Sequence, residues 1–77
     1  MKIEYKGINK EDGRDYREAV IEYDEKKEHK KADKVFDYLT ENGWELYGEE
    51  ECIYIRLCDK SEYKYLVEDY KKAKKEV

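Results

Sequence analysis

The chain has 77 residues, 17 Lys and Arg against 21 Asp and Glu, a net charge of −4, nine tyrosines and no proline. That length allows a single domain, residues 1–77, with a small core, and Leu, Ile, Val and Phe give that core only 14 side chains. Balanced charge argues against disorder, and nothing resembles a signal peptide or a membrane-spanning segment, so no membrane role and a cytoplasmic location are expected.

Met1, Ile3 and Tyr5 alternate with Lys2, Glu4 and Lys6, the period of a half-buried strand. Asn9 to Asp15, with Gly13, reads as a polar turn. Ala19, Ile21 and Tyr23 then alternate like a strand, although Tyr16, Ala19, Val20 and Tyr23 also fit a helical stripe. The strand is preferred because Val20 and Ile21 are adjacent β-branched residues and the first strand needs a neighbour.

Ala32, Val35, Phe36 and Leu39 recur at helical spacing, with Asp24 and Glu25 suited to the N-terminal end and Asn42-Gly43 as the stop. Trp44 and Leu46 share one side of a short strand, and Gly48 to Glu51 are expected to turn the chain. Ile53, Ile55 and Leu57 alternate with Cys52, Tyr54, Arg56 and Cys58, the clearest strand pattern in the chain. Asp59 with Glu62 has the form of a capping box, and Tyr63, Leu66, Val67, Tyr70 and Ala73 make the apolar stripe of a final helix. The order is β-β-α-β-β-α. With one apolar face per helix, it predicts a small two-layer α+β domain: an antiparallel sheet of three to four strands with two helices on one face. Whether the strand of Ile53 is central or an edge open to a second copy is not fixed by the pattern, so a homodimer stays open.

Catalytic side chains are few. His29 lies in a run of lysines, where a solvated surface role suits it better than that of a general base. Ser61 sits beside the capping aspartate and needs no other role. There is no metal-ligand spacing and no glycine-rich phosphate loop. Cys52 and Cys58, about 20 Å apart along a strand, are too distant to pair, because a disulfide needs Cα atoms within about 7 Å. No enzyme activity, metal or cofactor is expected.

The charge is blocked rather than mixed. Residues 11–25 hold seven acids, among them Asp12 and Asp15, against Arg14 and Arg17. Residues 37–51 hold Asp37, Glu41, Glu45, Glu49, Glu50 and Glu51 and no base. Between these blocks Lys27, Lys30, Lys31 and Lys34 fall on one outward helical stripe. Both kinds of block are compatible with simple solvation. The acidic blocks also suit docking on a basic surface, with carboxylates standing where phosphates would sit. Tyr38, Tyr47, Tyr54 and Tyr65 fall off the apolar faces, and tyrosine is a favoured interface anchor, although some of these rings would also serve to extend the core.

The Asn42 to Leu46 junction is similar to helix-to-strand turns of small bacterial α+β domains, and richness in Lys, Glu, Tyr and Ile resembles coding from an AT-rich genome such as that of a low-GC bacterium or its phage. The leading expectation is a non-enzymatic protein-binding module whose partner is a host protein or ribonucleoprotein complex with a basic surface. Its sharpest form is a phage or mobile-element inhibitor of a host nuclease or defence complex, in the manner of an anti-CRISPR protein. The alternative is a nucleic-acid-binding accessory protein using the Lys27, Lys30, Lys31 and Lys34 stripe, against which an isoelectric point near 5.1 counts.

Overall fold

The computed structural model describes residues 1–11 and 14–75. Six elements follow one another: β1 (Lys2–Glu11), β2 (Arg14–Glu22), α1 (Glu25–Glu41), β3 (Glu45–Glu49), β4 (Cys52–Leu57) and α2 (Glu62–Lys75). The strands form one antiparallel sheet in the order β1-β2-β4-β3. This is the expected α+β fold, with four strands rather than three. The ambiguous 15–23 run lies in a strand as far as Glu22, where Val20 and Ile21 find ladder partners on both sides, Glu4 and Ile3 in β1 and Tyr54 and Ile53 in β4. Strand β4 is central, which leaves β1 and β3 as the edges.

Both helices cover the same side of the sheet. Ala19 and Ile21 from β2 and Ile53, Ile55 and Leu57 from β4 meet Ala32, Val35 and Leu39 of α1 and Leu66, Tyr70 and Ala73 of α2. Each of these side chains is 4% exposed or less, and full burial of a Leu, Ile or Val contributes about 1.5–3 kcal/mol. Tyr5 packs against Tyr63 with ring centroids 5.3 Å apart, and the Trp44 indole donates a 2.8 Å hydrogen bond to Asp69. These two contacts tie the sheet to α2.

The helix boundaries follow local chemistry. Asp24 caps α1, its carboxylate accepting from the amides of Lys26 and Lys27. At the other end Gly43 takes φ +89, its amide bonds the Thr40 carbonyl, and the Trp44 amide bonds the Leu39 carbonyl. This is a Schellman stop, open to glycine because no β-carbon resists the left-handed conformation. At the start of α2, Asp59 accepts from the Glu62 amide and the Glu62 carboxylate accepts from the Cys58 amide.

Two turns differ from expectation. Gly48 belongs to β3, and the connection to β4 is only Glu50-Glu51, because Glu49 pairs directly with Cys52. The first hairpin also extends further than the polar 9–15 run suggested, since β1 and β2 stay paired out to Glu11 and Arg14. Cross-strand pairing compensates for the poor strand propensity of those residues. The register shifts between Tyr5 and Gly7, leaving Lys6 as the extra residue, and Gly7 adopts φ +88. Beyond this bulge Ile8 pairs with Arg17, where the β4 ladder ends, and it is 58% exposed.

Candidate functional site: the helix-free face of the sheet

Side chains alternate across a sheet, so the residues between the core positions form a second face with no helix over it among the described residues. Register places three rows there. Glu4, Val20, Tyr54 and Tyr47 make the middle row, Lys2, Glu22, Cys52 and Glu49 lie on one side, and Glu18, Arg56 and Glu45 on the other. Tyr47 and Tyr54 stack with centroids 5.2 Å apart and planes 20° from parallel. Val20 is only 1% exposed although it belongs to this face rather than to the helix-side core, so its neighbours here bury it.

The surroundings are acidic. Glu4, Glu18, Glu22, Glu45 and Glu49 face Lys2 and Arg56, and Arg56 lies 3.6 Å from Glu45. Glu18 is 7% exposed, and the Tyr47 hydroxyl points at its carboxylate from 3.5 Å, the outer limit of a hydrogen bond. The Tyr54 hydroxyl ionises above its usual range because of the adjacent Cys52 thiol, then partial burial, then the carboxylates of Glu49 and Glu18. A proton is held harder where negative charge collects. The face can therefore present a flat aromatic centre and a negative margin to an incoming cationic surface. Stacking holds the two rings in place before any contact is made, which lowers the ordering cost of binding.

Comparison with protein-family models, with curated proteins and with solved structures finds no match.

Of the residues singled out from sequence, Glu45, Tyr47, Glu49 and Tyr54 are brought together on this face. Glu50 and Glu51 form the adjoining exposed turn, where Glu51 adopts φ 64 and its carbonyl accepts a 3.0 Å hydrogen bond from the Tyr23 amide. Tyr38 is half buried against the helix-side core, because the apolar face of α1 is wide enough to include it three residues after Val35. Tyr65 is 59% exposed on α2, in the other layer. Asp12 lies outside the described residues, and Asp15 pairs with Lys10 in the outer part of the first hairpin. Glu4, Glu18, Glu22 and Val20 were not anticipated. Strict alternation against Ile3 and Tyr5 in β1 and against Ala19 and Ile21 in β2 pointed to them, but charge blocks drew attention to neighbours in sequence rather than across strands.

Lys27, Lys30 and Lys34 are exposed on α1 and Lys31 is half buried. His29 is exposed, with Nδ1 2.9 Å from Glu25 and Nε2 3.4 Å from Asp33, one helical turn to either side. Both cysteines are free thiols, and Glu62 foremost raises the pKa of Cys58. Among the described residues no group of three or more His, Cys, Asp and Glu is placed to hold a metal ion, and no helix is long and apolar enough to cross a membrane.

Proposed function

We propose that this protein is a non-enzymatic binding module that docks its helix-free sheet face on a basic surface of a macromolecular partner. The observation that carries the reading is the Tyr47–Tyr54 stack set among five glutamates on a face that no helix covers. Aromatic rings with few rotors supply contact area, and the carboxylates supply attraction and orientation. In its most concrete form the partner is a host nuclease or defence complex, the surface is one that otherwise holds nucleic acid, and the protein is a phage or mobile-element inhibitor. Catalytic poverty of the sequence and a composition that resembles coding from an AT-rich genome support that form.

The test is capture from a lysate of a low-GC bacterium, with the wild-type chain compared with Tyr47→Ala/Tyr54→Ala and Glu49→Lys/Glu50→Lys/Glu51→Lys. The expected result is a nucleic-acid-binding protein retained stoichiometrically at low salt, weakened at higher salt, and released by both variants, with its nuclease activity blocked by the wild type alone. Equal retention by both folded variants would overturn the assignment to this face. Recovery of nucleic acid itself, lost when Lys27, Lys30 and Lys34 become alanine, would replace it with the basic-stripe reading.

A further inference from the structure

On the helix side of β3, away from the open face, a cleft of about 220 Å³ lies between α1 and the sheet, lined by Tyr23, Ala32, Asp33, Phe36, Gly48 and Ile53. It exists because Gly48 stands in a strand position facing α1: a β-carbon there would already be in ordinary contact, 3.7 Å from the Phe36 ring. The floor is apolar, with Ala32 and Ile53 each 2% exposed. The two rings, Tyr23 and Phe36, border it, and Asp33 is the charged group in its lining.

The surroundings reinforce the negative sign. Burial, a hydrogen bond with Glu25, and then the charges of Glu25 and Asp33 raise the pKa of Tyr23. The Tyr23 amide in turn anchors the Glu51 carbonyl, so the Glu50-Glu51 turn is fixed beside the cleft. His29 lies between Glu25 and Asp33, and α1 also carries Lys30 and Lys34 on either side of Asp33 in sequence, so the negative charge at the cleft rests on Asp33, Glu25 and the acidic turn. Small-molecule sites usually occupy about 300–1,000 Å³, so this space suits one side chain better than a cofactor. Aromatic faces with a carboxylate select a cation, and a planar guanidinium both stacks on rings and forks onto a carboxylate, which an ammonium does not.

We propose that this cleft receives an arginine side chain from the partner protein, with its guanidinium against the Tyr23 and Phe36 rings and on the Asp33 carboxylate. The proposal rests on the reading that the partner surface is basic, but it concerns a separate side of β3 and is tested without the partner. Blocked glycyl-arginyl-glycine is titrated into the protein while NMR follows the Ala32 and Ile53 methyls and the Gly48 amide. Saturable shifts at these three positions are expected, with the citrulline analogue about tenfold weaker. Asp33→Asn should weaken binding by about three- to fivefold. Gly48→Leu should abolish it while the cooperative unfolding transition persists, and Gly48→Ala serves as a milder plug if leucine prevents folding.

Absence of shifts, equal binding of the citrulline peptide, or unchanged binding to folded Gly48→Leu or Gly48→Ala would overturn the proposal. Such a failure leaves the open-face reading intact, since the Tyr47 and Tyr54 variants test that separately.

Discussion

Tyr70 is 4% exposed, and its hydroxyl is buried without a hydrogen-bond partner among the described residues. Burial, then the negative charge of Glu28, pushes its pKa up. A buried hydroxyl left unpaired costs about 1–3 kcal/mol, whereas the ring itself is well used, with the Lys74 ammonium 5.1 Å from its centroid. Tyr70→Phe keeps the ring and removes the penalty. The expected outcome is a gain of about 1 kcal/mol, seen in thermal unfolding as a rise of about 4–8 °C for a domain of this size. Glu51 offers a parallel case in the backbone. Its φ of 64 costs a residue with a β-carbon roughly 1–2 kcal/mol, so Glu51→Gly should raise the urea midpoint. The same change removes a carboxylate from the acidic turn, so gained stability together with weaker partner binding would show that the glutamate is kept there for contact rather than for folding.

The two helices start on carboxylates whose ionisation is coupled to folding. A hydrogen bond from Ser61, then the backbone amides of Glu62 and Ser61, hold Asp59 below its ordinary pKa. The Asp24 backbone amide, then the N-terminal amine, do the same for Glu28. A folded value below the unfolded one means stabilisation that is complete only above the unfolded carboxylate range, about pH 5, and lost as pH falls through the folded pKa. Asp59→Asn keeps a capping side chain but removes one of these protons from the linkage. Its stability, measured by urea unfolding at a series of pH values, should decline less steeply below about pH 4 than that of the wild type. These caps, the Asn42-Gly43 stop and both apolar stripes were legible because each depends on residues within four positions of one another. The helix-free face was not, because Glu4, Val20, Tyr54 and Tyr47 become neighbours only through strand order and register. The cleft was hidden for a related reason. A glycine expected in a turn lies instead in an edge strand, where the side chain it lacks leaves the opening under Phe36.

Across the whole molecule, charge is divided between layers. The open face sets five glutamates against Lys2 and Arg56, whereas α1 and α2 together carry ten lysines against eight acids. Sequence alone showed blocks of charge for which simple solvation was the favoured explanation and docking the alternative. The fold adds direction, since the negative side is also the uncovered one. Such a separation orients an approaching cationic surface within about a Debye length, near 8 Å at physiological salt. The salt sensitivity expected of partner capture should therefore lie mainly in the association rate, with the stacked tyrosines governing how long the complex lasts. The overall extents, 36 × 23 × 18 Å, give the molecule a long axis. The outer part of the first hairpin, paired only with itself beyond Arg17, stands clear of β4.

The strand order β1-β2-β4-β3 has a consequence for assembly. A half-turn about an axis normal to the sheet, passing between β2 and β4, exchanges β2 with β4 and β1 with β3, and it relates α1 to α2. Each half of the chain thus offers the other a similar docking geometry along one seam, and the two are joined through the short turn at Gly43. That short turn sets how far the second half can travel from the first, so β4 pairs with β2 of its own chain. The Gly43 turn therefore does more than end a helix: it keeps the two halves of a single chain as each other's partners.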